Sequence, residues 1–187
     1  MALYTQKAIM QTFRNMLEEM PFDKITVASL VRRCQISPNT FYYHYQDIYA
    51  LLNAWFRAQF DVYFQPDPPD RDWKQAAKDF LYMCRSHSRI FYHVFDSLSR
   101  DRLEQYVFSL TDDVFHEAVL QQLGGRTIPE PELQQITGFC RYAFIGFFLQ
   151  FTWNRMSDDI DEGVDRLWLL FERFIQSSAA ACAAPEG

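Results

Sequence analysis

A short polar stretch near residue 40 carries the side chains with the clearest chemical potential. At 100° per residue, Phe41 and Tyr45 share the inward face of one helix, which turns Asn39, Thr40 and Tyr43 outward. Amide, hydroxyl and phenol groups can hydrogen-bond to phosphates and to base edges. The outward face contains no Lys–Glu pairing of the kind that an ordinary surface helix shows. The pattern therefore favours a helix that lies in the major groove of DNA.

Capping residues indicate the helix-turn-helix that would position this face. Thr26 is a candidate N-cap for one helix, and Ser37 for the next, with Pro38 at the first position, where a missing N–H costs nothing. Gln35 and Ile36 form the break between the two helices. The residues predicted to contact DNA are Thr26, Ser37, Pro38, Asn39, Thr40, Tyr42, Tyr43, His44 and Gln46.

The stretch from Phe22 to Leu52 resembles the DNA-binding domain of the tetracycline-repressor (TetR) family. The resemblance rests on Thr26, Val27, Leu30, Cys34, Ile36, Ser37, Thr40, Phe41, Tyr42, His44, Tyr45 and Leu51. Three positions depart from the family pattern. Gln35 replaces the turn glycine and must adopt its unusual backbone or reshape the turn. Asn39 replaces the glycine that opens the recognition helix, and Ile48 replaces a lysine expected to contact a phosphate.

The resemblance implies an all-α protein with two parts. Residues 1–46 would form a three-helix, helix-turn-helix DNA-binding domain, and residues 47–187 a helical effector-binding and dimerisation domain. Composition agrees, since 49% of the residues are hydrophobic and 17% aromatic, and alternating Val/Thr-rich runs are absent. The PDPPD run at residues 66–70 predicts a linker after the fourth helix.

The net charge of −6 is unusual for a protein that binds nucleic acid. Residues 1–52 carry five basic and four acidic side chains, or +1, which leaves −7 for the remainder. We therefore expect DNA affinity to depend on dimerisation and fitted contacts more than on bulk electrostatics.

The last two predicted helices, 132–156 and 161–177, have more apolar surface than one neighbour requires. The first is apolar nearly all round in its C-terminal half, so it must be covered on both sides. This surplus suggests a homodimeric four-helix interface, as the resemblance also implies. The alternative is that both helices only cover the core of one chain. The predicted interface residues are Phe139, Ala143, Gly146, Leu167, Phe171 and Phe174.

A small-molecule effector pocket among the middle helices is implied by the resemblance. Its lining would be aromatic and sparingly polar, which favours a hydrophobic or planar ligand over a sugar or phosphate. The candidate lining residues are Phe80, Cys84, Phe91, Phe95, Phe108, Phe115, Tyr142, Phe147, Gln150 and Trp153.

No residue set predicts catalysis, a metal or a cofactor. Cys84, His87 and His93 fall off a shared helical face, and the acidic run at 158–163 lacks calcium-loop spacing. The four cysteines form no CxxC pair and are expected to be reduced thiols. The N-terminus has no signal-peptide pattern and no apolar run spans a bilayer, so we expect a cytoplasmic protein without membrane contact.

These observations predict a homodimeric transcriptional regulator, expected to be a repressor, that binds a palindromic double-stranded operator and responds to a small effector. The alternative is a co-regulator with the same DNA-binding fold whose C-terminal body binds a protein partner instead of a metabolite.

Overall fold

All of the described secondary structure is helical. The computed structural model describes residues 2–64 and 72–183, and these ranges contain no strand, which confirms the all-α prediction. The elements are α1 (Ala2–Glu19), a 3-10 turn (Phe22–Lys24), α2 (Val27–Cys34), α3 (Pro38–His44), α4 (Ile48–Phe64), α5 (Trp73–Ser86), α6 (Ser88–Phe95), α7 (Arg100–Leu123), α8 (Glu130–Trp153) and α9 (Ile160–Ala183). The linker predicted at residues 66–70 lies outside the described residues. No helix among the described residues is long and apolar enough to cross a bilayer.

The chain divides into two compact units. The first extends to Asp61 and also contains Ser86–Tyr106, whereas the second contains Val62–Arg85 and the chain from Val107 onward. Helix α6 belongs to the first unit because it packs against α1 and the 3-10 turn. The domain boundary predicted at residue 46 therefore falls inside the first unit.

In the first unit, α1 supplies the centre of the core. Ile9, Phe13 and Leu17 are fully buried, as the spacing of one apolar stripe predicts. Helix α1 packs on both α2 and α6. The Nδ1 atom of His93, in α6, lies 2.7 Å from the backbone carbonyl oxygen of Leu17. Because a carbonyl oxygen only accepts hydrogen bonds, Nδ1 carries the proton. This bond ties α6 to the C-terminal end of α1.

In the second unit, α8 packs closely against α9 at Gly163. A Cβ atom at this position would lie 2.9 Å from the ring of Phe147, so a larger residue here would require that ring to move. Helix α8 ends near Trp153, where Arg155 and Met156 adopt positive φ angles of 57° and 56°. These left-handed residues end the helix earlier than the predicted residue 156.

A charged cluster joins α5 to the start of α9. The Lys78 ammonium lies 3.0 Å from the Asp161 carboxylate and 2.9 Å from that of Asp165. Tyr82 donates a hydrogen bond of 2.6 Å to Asp161, and Lys74 lies 3.5 Å from Asp165. Because only 11% of the Lys78 side chain is exposed, this cation needs its two carboxylate partners.

Candidate nucleic-acid interface

Helix α2 begins with a reciprocal cap. The Thr26 hydroxyl accepts a 3.1 Å hydrogen bond from the backbone N–H of Ser29, and the Ser29 hydroxyl accepts one of 3.0 Å from the Thr26 N–H. The sequence indicated Thr26, but the return bond was missed because this position is usually Glu or Gln. The cap fixes the N-terminal end of α2 while leaving Thr26 exposed.

The turn between α2 and α3 is built on Gln35. Its backbone has φ 56° and ψ 40°, in the left-handed region, and its N–H donates to the Arg32 carbonyl at 3.3 Å. Of the two outcomes expected at this position, Gln35 therefore adopts the glycine-like backbone and the turn keeps its shape. The Ile36 N–H donates to the Val31 carbonyl at 3.1 Å, which closes the end of α2.

A side-chain cap also fixes the start of α3. The Ser37 hydroxyl accepts a 3.1 Å hydrogen bond from the Thr40 N–H and lies 2.8 Å from the Thr40 hydroxyl oxygen. Pro38 occupies the first position of the helix. The cap orients both hydroxyl groups at the N-terminal end of α3, where anions are favoured.

Most of the residues predicted to contact DNA lie on one accessible surface of α3 and its flanks. Phe41 is fully buried and Tyr45 nearly so, which anchors the helix through its inner face. Tyr43 is 78% exposed, and Thr40 and His44 are half-buried. The exposed members of the predicted set are Thr26, Ser37, Pro38, Asn39, Tyr42, Tyr43 and Gln46. Two amides and two phenols thus face solvent from one short, capped segment.

The start of α4 has no lysine, but an arginine from another helix lies nearby. The Asp47 carboxylate accepts a 2.8 Å hydrogen bond from the Ala50 N–H and so caps α4 beside Ile48. The guanidinium carbon of Arg102, in the first turn of α7, lies 4.4 Å from the centre of the Tyr49 ring. This cation–π contact was not predicted, because nothing in the local sequence pairs residues 49 and 102.

The basic residues of α1 to α3 are partly neutralised. Arg33 forms a two-point ion pair with Glu19, and Lys24 lies 3.3 Å from Asp23. Arg32 is exposed, and no ion pair of its side chain is found within the described ranges. The surface is therefore weakly basic, as expected from the charge of +1 for residues 1–52.

The ten candidate effector residues are divided between the two compact units. Phe91 and Phe95 belong to the first unit and the other eight to the second. Within the second unit, Phe80, Cys84 and Phe115 are core residues, whereas Tyr142, Gln150 and Trp153 are exposed. Phe108 and Phe147 are half-buried, and the Phe108 ring packs edge-on against Tyr142. A cavity of about 10 Å³ lies beside Phe115, and it is no larger than one water molecule.

The predicted dimer residues separate into an exposed set and one core residue. Phe139 is 53% exposed, with its ring 4.4 Å from that of Phe174, so the two rings join α8 to α9 at the surface. Gly146 is exposed with open space around it, and Ala143, Leu167 and Phe174 are half-buried. Phe171 is only 5% exposed within one chain, and its ring packs edge-on against Phe115.

The buried cysteines are not reactive thiolates. Burial raises the pKa of Cys84 well above its ordinary value and that of Cys140 to about 12, so both stay protonated. Among the described residues, no group of three or more His, Cys, Asp and Glu side chains is arranged to hold a metal.

Two capped short helices with a polar outer face, attached to a helical body, define a DNA-binding transcriptional regulator of the helix-turn-helix class. Residues 71–173, just over half of the chain, match a TetR model described as "Transcriptional regulator C-terminal region". The chain belongs to the TetR family, whose members bind DNA and dimerise. No curated protein sequence matches this chain.

Solved structures share the fold at low sequence identity. The dihydroxyacetone kinase operon activator DhaS is 15% identical, with a TM-score of 0.71 over 94% of this chain and 98% of its own. A TetR transcriptional regulator from Streptococcus agalactiae is 18% identical, with a TM-score of 0.61 over 93% and 94%. NalD from Pseudomonas aeruginosa, the secondary repressor of the MexAB-OprM multidrug efflux pump, is 14% identical, with a TM-score of 0.54 over 91% and 94%.

Proposed function

We propose that the protein is a homodimeric, cytoplasmic repressor that binds a palindromic operator by placing α3 in the major groove. The observation that carries this proposal is the outer face of α3. Asn39, Tyr42 and Tyr43 are exposed there, while Phe41 and the Ser37 cap hold the helix in place. The Tyr42 and Tyr43 rings pack edge-on against Phe41 and His44, yet each side chain is more than half exposed, and phenol and amide groups suit phosphates and bases.

The contacts divide by their position on the helix. Thr26, Ser37, Tyr42 and His44 would fix the register on phosphates. Asn39, Thr40 and Tyr43 would read bases, and a pair of hydrogen bonds from Asn39 to an adenine is the expected contact. Thr26 and Ser37 already accept hydrogen bonds as caps, so each hydroxyl would serve the phosphate as a donor. For Thr26 this requires its proton to turn away from the Ser29 hydroxyl oxygen, to which it donates at 3.2 Å.

Exposed apolar side chains of α8 and α9 support a dimer. Phe139 and Trp153 on α8 and Leu170 on α9 are more than half exposed, and Leu170 shares a helical face with Phe174 four residues on. A second copy would cover this apolar surface and place two α3 helices one turn of DNA apart, about 34–36 Å. Two DNA-binding domains in one dimer would also compensate for the weak DNA affinity that the low basic charge of each domain implies.

A small hydrophobic or aromatic effector would modulate operator binding through α4. This helix contains residues of both compact units, so a ligand that prefers one arrangement of α4 would shift the population of DNA-binding dimers. The shared fold does not fix the sign of regulation, since DhaS is described as an activator and NalD as a repressor. Repression is the simpler mechanism, because it requires only occupancy of an operator.

A co-regulator that binds a protein partner is the second candidate. The observation that favours it is the combination of exposed Tyr142, Trp153 and Leu169 with a cavity of only about 10 Å³ in the second unit. Apolar side chains that remain exposed in the dimer would suit a protein surface.

Selection of bound duplexes from a random pool tests the proposal. The purified full-length dimer should enrich a palindrome whose half-sites lie about one helical turn apart. A reporter placed behind that operator would then separate repression from activation. Failure to enrich any duplex sequence over several rounds would reject sequence-specific binding.

A further inference from the structure

A groove runs between α1 and α4 within the first unit. It has a volume of about 420 Å³ and is lined by five residues of α1 and three of α4. This volume lies in the range of small-molecule sites, whereas the cavity beside Phe115 is far too small. None of the residues predicted to contact DNA or to bind an effector lines the groove.

The charge of the groove is opposite to that of the chain. Its lining includes Lys7 and Arg14 and no carboxylate, whereas the whole chain carries −6. Lys7 is exposed, and no ion pair of its ammonium is found in the part of the chain that the structure describes. Arg14 lies 3.2 Å from Glu18, so its charge is already partly compensated. Lys7 is therefore the cation available to an incoming anion.

Apolar side chains form the floor between the two cations. Met10 is half-buried and Trp55 is 4% exposed, with its ring 5.2 Å from that of Phe56 in a packed aromatic cluster. Lys7 and Arg14 are seven residues apart on α1, or about 10.5 Å along the helix axis. A ligand body of that length would cover Met10 and the accessible edge of Trp55.

We propose that this groove binds a small amphipathic anion, with one carboxylate or phosphate paired to Lys7 and a planar or aliphatic body over Met10 and Trp55. The cation selects the charged end, and the apolar floor selects the body. A neutral molecule would lose the ion pair, and an inorganic anion would gain nothing from the floor.

Binding would link α1 to α4 in the unit that also contains α3. Helix α1 supplies five of the eight lining residues and packs on α2, which in turn packs on α3. A ligand there would shift α1 relative to the end of α3. This consequence for DNA rests on the proposed function, but occupancy of the groove does not.

Calorimetric titration of the full-length protein with naphthalene-2-carboxylate tests the site without DNA. We expect saturable binding, and about fivefold weaker binding of the neutral analogue naphthalene-2-carboxamide, since an exposed ion pair contributes up to about 1 kcal/mol. Lys7→Gln should remove that preference by weakening the binding of the carboxylate while leaving the binding of the carboxamide unchanged. Lys24→Gln, which removes an exposed lysine of the same unit outside the groove, should bind both compounds as the wild type does.

Steric closure provides a second variant. Ala58 is an exposed residue of α4 that lines the groove, so Ala58→Phe should fill it without disturbing the core. Loss of binding with an unchanged circular dichroism spectrum is expected. Equal affinity for carboxylate and carboxamide, no binding at millimolar concentration, or unchanged binding in both groove variants would overturn the proposal. So would a Lys7→Gln variant that loses affinity for an unrelated duplex but not for the carboxylate, because Lys7 would then belong to the DNA surface.

Discussion

Arg33, in the last turn of α2, donates two hydrogen bonds to the carboxylate of Glu19, in the last turn of α1. This pair holds α1 across the helix-turn-helix at the end opposite to the Thr26 cap. It also occupies a guanidinium that the sequence leaves available for DNA. The pair adds to the core packing that already holds α1 against α2.

The pair predicts an acid sensitivity. Hydrogen bonding to Arg33 lowers the pKa of Glu19 below its ordinary value of 4.5. Because the folded pKa is the lower one, the contribution to stability is complete above about pH 4.5 and is lost as the pH falls through the folded pKa. Glu19→Gln should therefore lower the Tm at pH 7 and have less effect at pH 3. Thermal scans at both pH values check this, with Glu117→Gln, which removes an exposed carboxylate of α7, as the charge-matched control. An equal change in Tm at both pH values would contradict it.

Gln35 predicts a stabilising substitution. A residue with a Cβ in the left-handed region costs about 1 kcal/mol or more, while glycine adopts it freely at some cost in unfolded-state entropy. Gln35→Gly should therefore raise the free energy of unfolding by about 0.5–1 kcal/mol. Urea titration measures this, and Gln35→Ala is the control because alanine keeps the Cβ. A glycine variant no more stable than the alanine variant would show that the left-handed backbone at residue 35 does not destabilise the protein.

Local chemistry could be read from the sequence, whereas pairs distant in the chain could not. Thr26 and Ser37 were identified as caps because their type and position are decided within four residues. The cation–π contact of Arg102 with Tyr49 depends on where α7 begins in space. The number of apolar residues along α9 indicated that this helix has more apolar surface than one neighbour covers. That Phe171 is among the buried ones depends on Phe115 of α7, which packs against it and is distant in the chain.

From the exposed face of α3 we expect substitutions to affect DNA binding in two different ways. Tyr42→Ala should weaken binding to every duplex by a similar factor, because a phosphate contact carries no sequence information. Asn39→Ala should weaken binding to the selected operator by about 1–3 kcal/mol and relax the base preference at one position in each half-site. Gel-shift titration against a set of single-base operator variants separates the two. Equal losses on all operators for Asn39→Ala would remove its reading role.

The contacts of Lys78 predict that it stabilises the second unit. Hydrogen bonds to Asp165 and Asp161 raise the pKa of Lys78, so its contribution is complete below the ordinary value of 10.5 and is lost as the pH rises through the folded pKa. Lys78→Met should lower the Tm at pH 7 more than Lys74→Met, which removes a longer and more exposed contact. Circular dichroism melts of both variants decide this. An equal decrease in Tm for the two variants would show that the buried position of Lys78 adds nothing to stability.

Leu170 predicts where a partner subunit binds. It is 61% exposed on the face of α9 that continues to Phe174, whose ring contacts Phe139 of α8. Burying a leucine of this kind contributes about 1.5–3 kcal/mol to each of two symmetric contacts, and a carboxylate there would be desolvated without a cation. Leu170→Glu should therefore convert the dimer to a monomer at micromolar concentration in sedimentation velocity experiments. It should also weaken operator binding. Leu120→Glu is the matched control, since Leu120 is an exposed leucine of the same unit on α7. A Leu170→Glu protein that remains dimeric, or a Leu120→Glu protein that dissociates, would place the interface on another surface.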